Sequence, residues 1–91
     1  KDLFDHIYLE TASPAVNYKF LVSNYGHRVD DVIKALGSDF VEYIQTEKPD
    51  DVKHLGEICY EVNKHSYESR FVIDPVVTML SLVFKIQKIV N

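Results

Sequence analysis

The chain has 91 residues, a length for one domain whose single core hides only about 60–65% of the unfolded surface. With 46% apolar and 26% charged residues it is too apolar for a disordered segment. Its net charge of −4, from 14 acidic against 10 basic residues, gives no broad attraction for nucleic-acid phosphates or anionic lipid.

The spacing of Leu3, Phe4, Ile7 and Tyr8 predicts a short first helix. A second follows in SPAVNYKFLVSNYG, with Ser13 as N-cap, Pro14 at the first helical position and Gly26 as the stop. Val29, Val32, Ile33 and Leu36 recur on one face of a third, which Gly37 ends. In SDFVEYIQ, Asp39 and Glu42 suit a capping box, and Phe40, Tyr43 and Ile44 form the apolar side. The fifth segment, KPDDVKHLGEICYEVNK, opens on Pro49 with acidic residues in its first turn. Val52, Leu55, Ile58, Cys59 and Val62 make its expected buried stripe, and Gly56 marks a close approach of another helix. HSYESRFVI reads as a loop, an extension of the fifth helix or a short extended piece. Asp74 and Pro75 then cap a closing helix. The fold class is therefore all-α: a compact bundle of five to six short helices over residues 1–91.

The closing helix is unusual. Thr78, Ser81, Lys85 and Lys88 form a polar stripe about 80° wide, and apolar residues fill nearly all the rest. Such a helix needs neighbours on at least two sides, so it lies at the centre of the bundle, at an interface, or both. Six tyrosines suit half-buried contact positions or the edge of a small core. The function expected from these features is a non-catalytic protein–protein interaction or regulatory module, binding a protein partner or a second copy of itself. The expected anchors are Met79, Leu82, Phe84 and Ile86, with Tyr60 and Tyr67 beside them.

Chemistry finds little support. His6, His27, His54 and His65 match no zinc spacing, so neither metal nor cofactor is assigned. Cys59, on the apolar stripe, reads as buried and inert. Ser13, Ser38 and Ser66 read as caps and turn residues, and the pairs Asp30–Asp31 and Asp50–Asp51 complement helix dipoles. No catalytic residues are expected. A helix-turn-helix outline spans residues 15–36 and makes a DNA-binding regulator the alternative. Its second helix, however, offers Asp30 and Asp31 with only Arg28 and Lys34 as basic residues, the wrong sign for phosphate.

Residues 20–45, FLVSNYGHRVDDVIKALGSDFVEYIQ, resemble a helical stretch of the haem–nitric-oxide-binding sensor domains, with Leu-Gly and then an aromatic after Glu. The likeness spans less than a third of the chain, which is itself about half as long as that family. It implies a small-ligand or haem sensor as a second alternative, with a ligating His some residues further on. His54, in KPDDVKHLG, falls out of that register by one residue, and haem binding is not carried over.

One unpaired cysteine and no Asn-x-Ser/Thr acceptor point to an intracellular, cytoplasmic setting. The polar amino end does not suit a signal peptide, and the closing helix is too short to span a bilayer. Beginning at Lys1 rather than Met, the chain reads as an excised domain or a processed product.

Overall fold

The computed structural model describes residues 2–9, 14–71 and 74–90, and among these it is all helical. In chain order they form α1 (Asp2–Leu9), α2 (Pro14–Tyr25), α3 (Val29–Leu36), α4 (Asp39–Glu47), a 3-10 helix (Pro49–His54), α5 (Leu55–Glu68) and α6 (Pro75–Val90). The all-α bundle expected from periodicity is the observed architecture. The proposed Ser13 cap lies outside the described residues.

The axis of the bundle is α6, against which α1, α2, α3, α5 and the 3-10 helix all pack. Ile7, Leu21, Leu36, Ile58, Met79, Leu82, Val83 and Ile86 are fully buried around it. Phe40 and Ile44 close the core from α4. The rings of Phe4, Tyr8, Phe40 and Tyr43 form an aromatic cluster between α1 and α4, with centroids 5.1 to 6.4 Å apart. Such contacts add to area burial because ring edges meet ring faces.

Helix ends follow the expected stops, but for different local reasons. No described glycine has a positive φ, so the left-handed cap is absent at both Gly26 and Gly37. At Gly26 the constraint is steric: an added Cβ would lie 2.6 Å from the Val22 carbonyl oxygen. The capping box at the start of α4 does not form. Ser38 is the N-cap without a side-chain cap bond, and its hydroxyl turns back to the Lys34 carbonyl at 2.9 Å. At the start of α6, the Asp74 carboxylate does accept from the Val76 amide at 3.0 Å.

The fifth segment departs most from expectation. It splits into the 3-10 helix and α5, and the ambiguous HSYESRFVI stretch first extends α5 and then turns at Ser69 and Arg70. Val52 and Cys59 are exposed rather than buried. Nothing lies within 4 Å of a Cβ built on Gly56, so no helix approaches there. The close approach occurs at Gly37 instead, where an added Cβ would meet Val62 Cγ1 at 3.2 Å.

Candidate protein-interaction face

Three of the expected anchors are core residues. Met79, Leu82 and Ile86 are fully buried, because α6 is covered on more sides than a two-neighbour arrangement provides. They cannot touch a partner without unfolding the bundle. Phe84, Tyr60 and Tyr67 are exposed. The polar stripe expected on α6 is also rotated: Thr78 is buried, while Val77 and Phe84 join Ser81, Lys85 and Lys88 on the water-facing side.

The exposed side of α6 continues onto α5. These two helices run antiparallel, with His65 against Ser81 and with Phe71, just past α5, beside Val77. Between them lies an open groove of about 380 Å³, lined by His65, Glu68, Phe71, Val77, Thr78 and Ser81. The ring of Phe71 meets that of Tyr67, outside the groove, at 5.1 Å. Along α6, Val77, Ser81, Phe84 and Lys88 recur at i, i+4 and i+3 and therefore share one narrow strip. Tyr60 lies two turns before Tyr67 on the outer side of α5. With Phe71 70%, Tyr67 64% and Val77 62% exposed, these three adjoin one another, and Phe84, 36% exposed, follows on α6 beyond Ser81. Isolated exposed apolar residues need no explanation, but a contiguous group does. Sequence reading missed Phe71 and Val77. Val77 was detectable, since it shares the helical-wheel position of Lys88 and Phe84.

His65 and Ser81, which line the groove, lie with the buried Glu61 where the two helices meet, three residue types that hydrolases combine. Their geometry supplies no oxyanion site. His65 Nδ1–H donates to the Glu61 main-chain carbonyl at 2.7 Å, whereas the Glu61 carboxylate lies 3.7 Å away. The Ser81 hydroxyl meets Nε2 at 3.2 Å, but Ser81 sits in mid-helix, where backbone N–H groups are committed to the helical ladder and cannot cradle an oxyanion. The arrangement gives both ring nitrogens of the buried His65 a partner where α5 and α6 meet.

A second polar network ties α1 and α2 to α6. Asn17 Nδ2 donates to Gln87 Oε1 at 2.7 Å, and Asn17 Oδ1 accepts from His6 Nε2. The His6 ring stacks on Phe20 at 3.9 Å. At the opposite edge, the Tyr8 hydroxyl donates to Asp51 at 2.8 Å and Tyr43 to Asp5 at 3.0 Å. Burial, reinforced by the neighbouring carboxylate, raises the pKa of both phenols. Lys48 Nζ lies 4.8 Å from the centre of the Tyr8 ring. Tyr8, Tyr25 and Tyr43 thus edge the core, whereas Tyr18, Tyr60 and Tyr67 face outward.

The other sequence candidates are dispersed. In the hairpin of residues 15–36, Val29, Val32 and Leu36 point inward as expected, and Asp30 and Asp31 are exposed on α3. A wider groove of about 750 Å³ between α3 and α5 mixes Asp30 with Lys34 and Arg70, and the exposed Cys59 also lines it. His54 ends the 3-10 helix, with Nε2 3.8 Å from an Asp51 oxygen. Among the described residues, no group of three His, Cys, Asp or Glu side chains gathers to hold a metal ion, and no helix is long and apolar enough to cross a membrane. The chain matches no protein-family model, no curated protein and no solved structure.

Proposed function

We propose that this chain is a non-catalytic helical module that binds a protein partner through the α5–α6 face. The observation that carries the reading is the exposure of Tyr67, Phe71, Val77 and Phe84 along two helices whose inner sides are already used by the core. At ring areas of about 200 Å², the three aromatics expose about 340 Å². Covering that area is worth at most about 8 kcal/mol at 25 cal/mol per Å². Association itself costs about 4–15 kcal/mol. The rings alone therefore support only a weak contact, and the polar rim decides which partner fits.

The test separates surface from core. Val77→Asp and Phe84→Asp should keep the helical circular dichroism and the melting temperature, whereas Leu82→Asp should unfold the chain. Amphipathic peptides selected from a displayed library by the wild-type chain should be lost by Val77→Asp. Unfolding of both surface variants, or selected peptides that bind Val77→Asp undiminished, would remove the reading.

A further inference from the structure

Resting on that interaction face, we propose that its partner is a second copy of this chain, packed with the two α6 helices antiparallel about a two-fold axis at Ser81. The charges on the exposed strip make it self-complementary. Asp74, at the amino end of α6, is exposed and lies seven residues before Ser81; Lys88, near the carboxyl end, is exposed and lies seven residues after it. At 1.5 Å per residue each is about 10 Å from Ser81 along the axis, so an antiparallel pair centred there sets Asp74 opposite Lys88 of the other copy, twice.

The apolar residues follow the same symmetry. Val77 is four residues before Ser81 and Phe84 three after, so each Val77 falls beside the Phe84 of the other copy. Glu68 and Phe71 flank the amino end of the strip, where the other copy brings Lys85 and Lys88. A parallel pair would instead set Asp74 against Asp74 and Lys88 against Lys88. Ser81 is small enough at the crossing to let the helices approach, and the antiparallel arrangement also opposes the helix dipoles. Size sets the strength. About 340 Å² of exposed ring per copy falls well short of the roughly 800 Å² per partner of a stable interface. The pair is therefore a reversible dimer that depends on concentration.

Sedimentation equilibrium of the whole chain from micromolar to millimolar concentration tests association. The expected result is a monomer–dimer equilibrium that weakens as salt rises. Lys88→Glu sets like charges opposite one another and should weaken it about tenfold, while Asp74→Lys combined with Lys88→Glu should restore it. Since Asp74 also caps α6, a second measurement tests the register without it. In a Cys59→Ser background, Ser81→Cys should cross-link to itself on mild oxidation, while Lys88→Cys should not. A monomer throughout the concentration range overturns self-association, yet leaves the general reading intact if Val77-dependent peptides are still selected. A dimer that cross-links at Lys88→Cys but not at Ser81→Cys overturns the antiparallel register.

Discussion

Truncating Gln87 tests how α2 is held in the bundle. Only Asn17 and Leu21 are fully inside on that helix, with Phe20, Val22 and Tyr25 packed partly buried against the core, so one of its two innermost side chains is polar. Asn17 stays inside because its amide donates to Gln87 at 2.7 Å and its carbonyl oxygen accepts from His6. Gln87→Ala strands the Asn17 amide in a buried position, which costs about 1–3 kcal/mol. For a domain of this size, a loss of about 2 kcal/mol lowers the melting temperature by roughly 8–16 °C. The loss should be local as well as global. Amide hydrogen exchange should speed up most in α2, where Gln87 makes its hydrogen bonds, and less in α3 and α5. Asn17→Leu with Gln87→Leu removes both halves of the pair and should recover part of the loss, with a coupling energy of about 1 kcal/mol. If Gln87→Ala costs under about 0.5 kcal/mol, the value of an ordinary surface change, and α2 exchanges as before, the network does not anchor that helix.

The phenols of Tyr8 and Tyr43 give the fold an alkaline limit. Both hold their protons more tightly when folded, through burial and the bonds to Asp51 and Asp5. Their stabilising effect is complete below the ordinary tyrosine pKa of about 10 and falls as pH rises above it, because the unfolded chain releases protons that the folded chain keeps. Urea midpoints should therefore drop above about pH 10, and Tyr8→Phe should flatten the slope. Simultaneous ionisation of all six tyrosines in the folded chain, followed by tyrosinate absorbance, would contradict this. Gly56→Ala has open space in which to place its Cβ within α5. It should raise stability by about 0.4–1 kcal/mol; a lowered melting temperature would mean that another segment packs there.

The helices and their stops were legible in the sequence because apolar spacing, Pro14, Pro49, Pro75, Gly26 and Gly37 act locally. The inward faces of α5 and α6 were legible in part: Ile58, Val62, Met79, Leu80, Leu82, Val83 and Ile86 are buried where apolar spacing puts them, but both helices are turned from the expected orientation. Polar side chains read as water-facing, yet Glu61, His65 and Thr78 are buried, as is Gln87, the one polar residue on the apolar arc of α6. His65 donates to the Glu61 carbonyl, and Gln87 pairs with Asn17 across 70 positions of sequence. Inside partners of this kind remove the penalty that would push His65 and Gln87 outward. Moving Thr78 inside and Val77 and Phe84 outside turns the exposed strip of α6 by about 40°. On α5 the buried face likewise swings toward Glu61 and His65, leaving Cys59 outside. Val52 was lost for a separate reason. It lies in the 3-10 helix, whose three residues per turn break phase with the 3.6 of α5. The same rotation creates the candidate site. As Thr78 turns inside on α6, Val77 and Phe84 come to the surface beside Tyr67 and Phe71.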